Sequence, residues 1–261
     1  MQFQKLPQAQ YQKRSSIIAE DIVQRIRRNE MSAGMKLPSE RVIAEQLGVS
    51  RPSVREAISA LQIVGVLESR PGDGTYVCER IEFEDLSRKA VRVLEKNDSP
   101  LELLHARKAL EIGAARLVIK VASPSQIEPI HSAWKQKYEA GIKGNYDRYL
   151  ERAFEFHMAI ARATGNSLIE RMTENLLQAT QQPLWLNMRR TYYAADDRRI
   201  KEMLDVHDRI ITALMRRETE QAILAIELHF DILIQRTYNL NDPYSEPATL
   251  GNQRPPAEQG V

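Results

Sequence analysis

The sequence predicts a mainly α-helical protein in two parts, and two patterns carry that prediction. Between residues 37 and 77, two short helical patterns joined by a tight turn precede a glycine-rich segment flanked by strand-like runs. From residue 101 onward, apolar residues recur at helical spacing almost throughout, with no convincing strand. A length of 261 residues is enough for two modest domains. We therefore expect a small helical domain with a β-hairpin, followed by an all-α antiparallel helical bundle.

Composition and charge argue against several other classes. The net charge is +2, and the slight excess of Lys and Arg before residue 80 is too mild to indicate nucleic-acid binding by itself. No run of about 18 apolar residues occurs, so we expect no membrane span. The N-terminal segment lacks the apolar core of a signal peptide. A single cysteine, Cys78, excludes an internal disulfide framework and favours the reducing cytoplasm.

The first three helices are predicted from apolar spacing and capping residues. A helix from about residue 16 to 29 follows from apolar residues at Ile18, Ala19, Ile22, Val23 and Ile26. Ser39 is suited to cap a second, short helix that ends at Gly48. Ser50 caps a third helix and Pro52 lies in its first turn, where no backbone donor is lost.

The third helix and the hairpin together indicate DNA binding. Residues 66–69 and 75–77 are predicted strands, and residues 70–74 form the tip between them. Helix, turn, helix and hairpin in this order are typical of a winged helix-turn-helix, whose recognition helix reaches base edges with its N-terminal residues. Arginine there can pair bidentately with guanine, and a serine at the helix start suits phosphate oxygens. A solvated arginine face explains Arg51 or Arg55 taken singly, but it does not explain the whole block.

The block resembles the DNA-binding domain of the GntR family of bacterial transcription regulators over residues 12–78. The matching positions are Gly34, Lys36 to Arg41, Leu47 to Arg51, Val54 to Ala57, Leu61, Gly65, and Gly72 to Thr75. The resemblance implies double-stranded operator DNA as a partner. It also implies the residues that contact DNA, which are Arg41, Ser50, Arg51, Ser53, Arg55 and Gly72.

The remaining chain divides into a linker, a bundle and a tail. Residues 79–100 are predicted to be a linker that contains a short helix, and residues 101–239 a helical ligand-binding and dimerisation domain. Its predicted helices span 101–121, 124–141, 145–164, 167–189, 195–216 and 219–239. We expect residues 1–11 to be flexible and residues 240–261, which are rich in Pro, Gly and polar residues, to be disordered.

Three histidines in the bundle are candidate metal ligands. His157, His207 and His229 lie on three separate amphipathic helices, and histidines that converge in a bundle core can bind a metal. A lone inward histidine is more often a satisfied core residue, so spacing alone leaves both interpretations open.

This second part is similar to the all-helical ligand-binding domain of the FadR subfamily, called FCD, over about residues 101–238. The matches are Leu104 to Glu111, Phe156 to Ala161 with Gly165 and Asn166, His207 to Leu214, and Ala222 to His229. The resemblance implies a divalent metal held by one Asp and three His, here His157, His207 and His229. It also implies that Arg107 faces the cavity and holds an acidic effector. The residue that matches the family Asp, one helical turn before His157, is Ala153.

The missing Asp has a physical consequence. Three neutral imidazoles leave Zn²⁺ with its full charge and with open coordination positions, which favours an anionic ligand such as an effector carboxylate. The alternative is that no metal binds tightly and that the pocket works by hydrogen bonds alone. Arg107 and Glu111 can also be interpreted as a surface ion pair one turn apart.

We therefore interpret the chain as a homodimeric, metabolite-responsive transcription regulator, and specifically a repressor, with a small carboxylate effector and a divalent metal, zinc, as cofactor. Dimer symmetry predicts a palindromic operator. Two alternatives remain from the residues: a metal sensor, in which the ion is the signal, and a three-His metal hydrolase. The hydrolase is disfavoured because no clear general base neighbours the histidines and because an enzyme has no use for the block at 37–77.

Overall fold

The computed structural model describes residues 13–70, 72–79, 86–194, 196 and 198–237. The predicted flexible residues 1–11 and the predicted tail 240–261 lie outside the described residues. The elements are helices α1 (Arg14–Arg27), α2 (Glu40–Leu47) and α3 (Arg51–Ile63), strands β1 (Leu67–Arg70) and β2 (Gly74–Val77), and helices α4 (Leu86–Lys96), α5 (Pro100–Val121), α6 (Pro124–Ile142), α7 (Tyr146–Ala163), α8 (Ser167–Ala179), α9 (Pro183–Ala194), α10 (Arg198–Arg216) and α11 (Thr219–Thr237).

The N-terminal part is a winged helix-turn-helix, as the capping residues predicted. The Ser39 hydroxyl accepts a hydrogen bond from the Val42 amide at the start of α2. Gly48 ends α2 with a φ of 63°, a left-handed conformation that a Cβ would strain. The Ser50 hydroxyl caps α3 by accepting from the Ser53 amide. This turn orients α3 across α2 and leaves the first turn of α3 at the surface.

The two strands form the predicted hairpin. They pair antiparallel, with Leu67 opposite Val77 and Arg70 opposite Gly74. Leu67 and Val77 are buried at the base of the hairpin, so the wing is anchored to the helical core. The opposite end, near Gly72, projects away from that core as a narrow tip.

Residues from Pro100 onward form only helices in the part of the chain that the structure describes, which confirms the predicted all-α domain. Helices α6 and α7 pack as one antiparallel pair, α10 and α11 as another, and α5 packs against α11. The shared core contains Leu104, Ile130, Phe156, Ile210 and Phe230, all nearly inaccessible to solvent. Among the described residues, every helix is too short or too polar to span a bilayer.

One predicted helix was wrong. The sequence predicted a single helix over residues 167–189, whereas the structure has α8 ending at Ala179 and α9 running from Pro183 to Ala194. Pro183 has no amide donor and disfavours helical geometry at Gln182, so the helix cannot continue through this point. The Thr180 hydroxyl donates to the Leu177 carbonyl and helps to end α8. Apolar residues keep a helical spacing across residues 180–182, so the apolar pattern alone does not indicate the break between the two helices.

Helix α9 joins the two parts of the molecule. The Asn187 side-chain amide donates to Ser59 Oγ at 2.8 Å and to Gln62 Oε1 at 3.0 Å, both on α3. A second link runs from the Ser99 hydroxyl, just before α5, to Glu56 Oε1 of α3 at 2.7 Å. Both connections reach the helix that presents the DNA-reading candidates.

Candidate functional site

The first turn of α3 carries the candidate DNA-reading residues. Ser50 is exposed and Ser53 is half-buried, and their hydroxyls lie 2.8 Å apart. Arg51 is partly buried, and its Nε has no hydrogen-bond partner within the described ranges. The two hydroxyls at this helix N-terminus are well placed for phosphate oxygens.

The structure gives Arg41 and Arg55 protein partners. Arg41 pairs with Glu45 one turn along α2 at 2.7 Å, and both side chains are half exposed. Arg55 pairs with Glu40 through two hydrogen bonds, and these side chains are about one-fifth exposed. The Arg55 pair therefore ties α3 to α2, in addition to any contact that Arg55 makes with DNA.

The cations beside the wing tip are held by contacts within the protein. Gly72 lies at the exposed tip with a φ of 74°. Next to it, Lys36 forms an ion pair with Asp73 at 2.7 Å, and Arg70 stacks on the Tyr76 ring at 4.0 Å. The two cations of the wing are thus held by the hairpin, which makes the tip rigid and locally balanced in charge.

The three candidate metal ligands converge in the bundle. His157 comes from α7, His207 from α10 and His229 from α11, and none is more than 5% exposed. One nitrogen from each lies within 4.8 Å of the others. His105 and His131, the other two histidines, take no part in this cluster.

The neighbours of the histidines orient the rings. His157 Nδ1 lies 2.8 Å from Glu111 Oε2, and His207 Nδ1 lies 2.6 Å from the Met203 carbonyl. A neutral imidazole that directs its Nδ1 proton to such an acceptor leaves Nε2 with a free lone pair. His207 Nε2 and both nitrogens of His229 are buried without a hydrogen-bond partner among the described residues, and His157 Nδ1 is close to Glu111 without the alignment of a hydrogen bond. Unsatisfied buried nitrogens are rare, and a cation would satisfy the one nitrogen of each neutral ring that carries the lone pair.

The charges of this cluster suit a metal. Burial lowers the pKa of His157 to about 4, although Glu111 opposes it. Burial also lowers the pKa values of His207 and His229, so all three rings are neutral at pH 7, the form that binds metal. For the Glu111 carboxyl, burial alone would raise the pKa, but His157 and Arg107 lower it to about 2. The residues present therefore fit a divalent cation of the zinc type, with three imidazole ligands.

Arg107 is buried rather than on the surface. It donates to Glu111 Oε1 at 2.9 Å, and its guanidinium lies 5.3 Å from the Phe230 ring centre. The surface ion pair considered from the sequence is therefore wrong, because Arg107 and Glu111 are only 4% and 6% exposed. Glu111 was passed over as a site residue, although it follows Leu104 and precedes Ala115 and Val118 on the same apolar face.

No acidic residue of α7 replaces the missing Asp. Ala153 is buried one turn before His157 and lines the same cavity. Glu151 is exposed and pairs with Arg148, while Glu155 lies near Arg162. The first turn before His157 therefore presents a methyl group where the family pattern has a carboxylate.

The histidines and Arg107 open onto one small cavity. Its other polar walls include Lys137 on α6 and Arg189 and Tyr193 on α9. The cavity volume is about 20 Å³. Lys137 and Arg189 were missed from the sequence. The spacing of Lys137 behind Ile130 and Trp134 on one helical face would have revealed it.

A winged helix-turn-helix joined to a helical domain with a buried, cation-lined cavity defines a DNA-binding regulator. Residues 14–77 match the family model described as bacterial regulatory proteins, gntR family, and residues 102–231 match the FCD domain. The Uxu operon transcriptional regulator of Escherichia coli (strain K12) is 32% identical over 243 residues, covering 91% of each chain. The HTH-type transcriptional regulator LutR of Bacillus subtilis (strain 168) is 31% identical over 211 residues, or 78% of this chain and 92% of LutR. Among solved structures, Streptococcus agalactiae GntR covers 85% of this chain and 99% of its own, at 24% identity and a TM-score of 0.42.

The chain belongs to the GntR family of bacterial transcription regulators and carries an FCD domain. Its relatives are transcription regulators, so the hydrolase alternative is wrong, and the protein is a regulator that binds operator DNA rather than an enzyme.

Proposed function

We propose that this protein is a homodimeric repressor of the FadR subfamily, acting in the cytoplasm, whose operator affinity is set by a small carboxylate metabolite bound beside a zinc ion. The single observation that carries the proposal is the cluster of three buried histidines with unsatisfied nitrogens next to the buried Arg107. A structural core would not retain these groups, because buried polar atoms without partners cost free energy.

Operator reading is assigned to the first turn of α3 and to the wing. Arg51, Ser50 and Ser53 lie there at the start of the helix, and Arg41, Arg55 and Gly72 flank them. A second copy of the chain would double this surface and read a palindrome. Exposed apolar side chains on α8 and α11, including Leu168, Met172 and Leu224, support self-association.

His157, His207 and His229 would hold the metal, and Glu111 would orient His157. The ion would supply positive charge that a carboxylate can neutralise, and Arg107 would hold the same carboxylate by charge-assisted hydrogen bonds. Because residue 153 is Ala, the protein offers no carboxylate there to neutralise the positive charge of the ion. The effector carboxylate would neutralise it instead.

The size of the cavity implies that the effector must move a wall. A volume of about 20 Å³ holds a water molecule but not an organic acid. Helix α9 is the wall most able to move, because it is short and is preceded by a break at residues 180–182. Tyr193 on α9 also lines an outer groove of about 920 Å³, so this side chain separates the cavity from the surface.

Movement of α9 would reach the DNA-reading helix directly. Trp185, Arg189 and Tyr193 repeat every four residues and line the cavity, while Asn187, about 200° around the helix from Trp185, holds α3. An effector can change operator affinity only by binding one arrangement of these helices better than the other. We expect two such arrangements to differ at the α9–α3 contact.

A direct test combines elemental analysis with operator binding. Purified protein is expected to contain about one zinc per chain, and His207→Ala should lose most of it, with His105→Ala as the matched control. Zinc content that is equal in His207→Ala and in the unaltered protein would remove the metal from the proposal.

A metal sensor is the second candidate, and the small cavity favours it, because an ion needs no displaced wall. If zinc alone changes operator affinity in fluorescence anisotropy, and no carboxylate changes it further, the ion is the signal. A response to carboxylate only when zinc is bound supports the metabolite sensor.

A further inference from the structure

The cavity contains more positive charge than one carboxylate needs. Its described lining includes Arg107, Lys137 and Arg189 but no Asp or Glu. The nearby carboxylate of Glu111 is engaged by both Arg107 and His157. Lys137 and Arg189 therefore have no acidic partner among the described residues of the cavity.

Lys137 is the more unusual of the two. It is 1% exposed, and no described residue hydrogen-bonds or ion-pairs with it. Its ammonium instead lies over the rings of Tyr149 and Phe156, at 5.3 Å and 5.4 Å from their centres. Aromatic faces compensate a buried cation only in part, and a buried charge without a counter-ion destabilises the folded state.

Arg189 belongs to the same cluster through the aromatic rings. Its guanidinium lies 5.6 Å from the Tyr193 ring centre, and the Tyr193 ring lies 5.8 Å from that of Tyr149, which contacts Lys137. The Nε of Arg189 is buried without a hydrogen-bond partner in the described ranges. Burial lowers the pKa of Lys137, and the nearby Arg189 and Arg107 lower it further, because neighbouring positive charges disfavour the protonated amine.

We propose that Lys137 and Arg189 form a second anion subsite, and that the effector of this regulator is therefore a dianion with two acidic groups, such as a dicarboxylate. One acidic group would meet Arg107 and the histidine cluster, and the other would meet Lys137 and Arg189. This inference rests on the proposed function, because it assumes that the cavity is the effector site. It adds the residues that select a dianion over a monoanion.

The test compares acids of matched chain length on the zinc-loaded, full-length protein by calorimetry. Succinate, glutarate and adipate are paired with butyrate, valerate and hexanoate. The best dicarboxylate is expected to bind at least about tenfold more tightly than its monocarboxylate partner. Lys137→Met and Arg189→Met should each remove most of this preference. The exposed neighbours supply the controls, Lys135→Met and Arg190→Met, which should retain it.

Equal binding of both acid types, or a preference that survives in both variants, would overturn the second subsite while leaving the carboxylate effector in place. Binding of neither type would instead count against the proposed effector.

Thermal unfolding without added acid then tests the subsite independently. If Lys137 awaits an anion, Lys137→Met removes an uncompensated charge and raises the midpoint by at least about 2 °C. If Lys137 is instead a structural cation held by the aromatic rings, the same change lowers the midpoint, and the proposal fails.

Discussion

Glu111 illustrates how a single residue organises the candidate metal site. Its two carboxylate oxygens bind different partners, Arg107 through Oε1 and His157 through Oε2. The residue therefore hydrogen-bonds the proposed effector-binding arginine and contacts one proposed metal ligand at the same time. The sequence shows only that Glu111 lies one helical turn after Arg107, and it does not reveal either contact.

Glu111→Gln should weaken zinc binding about 10–100-fold, because an outer carboxylate raises the basicity of the ligand that it orients. Competition titration against a zinc indicator measures the change. Glu151→Gln, an exposed carboxylate on α7, is the matched control. Unchanged zinc affinity in Glu111→Gln would mean that His157 is not held by Glu111 in the bound state.

Ala153→Asp should tighten zinc binding, because it places a carboxylate one turn before His157 in the same cavity. It should also weaken an anionic effector, since the new carboxylate neutralises charge that the effector would otherwise meet. Calorimetry with zinc, and then with the best-binding acid, measures both effects. If neither affinity changes, the three-histidine interpretation of the cavity loses its support.

Replacing Arg51 by alanine should affect operator affinity alone, whereas replacing Arg55 should affect both operator affinity and thermal stability. Arg51→Ala is expected to weaken operator binding by about 1–3 kcal/mol and to leave the thermal midpoint unchanged. Arg55→Ala should also lower stability, by about 1–2 kcal/mol, because its double hydrogen bond to Glu40 joins α2 to α3. Anisotropy and thermal melts on the same samples separate these effects. Equal melting losses in the two variants would contradict the assignment.

Among the helices, α9 was not predicted as a separate element, because the apolar pattern indicated one helix over residues 167–189. Leu176 and Leu177 on one side and Leu184 and Trp185 on the other keep a helical apolar spacing, so one long helix was predicted. Pro183 divides it, and the division lets α9 take its own direction between the cavity and α3. A continuous helix would have no such independent position.

Asn187→Ala should uncouple the two domains. The variant removes both hydrogen bonds from α9 to α3 while leaving the cavity-facing side of α9 intact. Acid affinity should therefore stay unchanged, whereas the effect of acid on operator affinity should shrink by about 1 kcal/mol or more. Anisotropy titrations with and without the best-binding acid measure this. A full response in Asn187→Ala would exclude this contact from the coupling route.

For the whole molecule, we expect zinc binding to raise the free energy of unfolding. The three ligands come from α7, α10 and α11, so zinc would join helices that are distant in the chain. Free zinc at about 100 times its dissociation constant stabilises the folded state by about 2.7 kcal/mol if only that state binds it. Chelation should therefore lower the thermal midpoint, and His207→Ala should show no such shift. An equal shift in the variant would place the bound zinc elsewhere.

The fold of the DNA-reading domain could be predicted from local features of the sequence. Ser39, Gly48, Ser50 and Pro52 act on their own turns of backbone, so their roles could be predicted without knowledge of distant residues. The same holds for the helical character of the second domain and for the identity of the three histidines as candidates. Local rules are enough wherever a residue acts within about one turn of its own position.

The surroundings of His157, His207 and His229 depend on how the helices pack, and they could not be predicted from local patterns. Glu111, Lys137 and Arg189 lie on three different helices, and only the packing of the bundle brings Glu111 against His157 and the two cations to the cavity wall. Their burial and missing partners depend on contacts between residues that are far apart in the chain, which periodicity does not encode. The contact between Asn187 and α3 is of the same kind. The sequence thus specified what reads the operator, and the packing of the helices specified the cavity and its route to the DNA-reading helix.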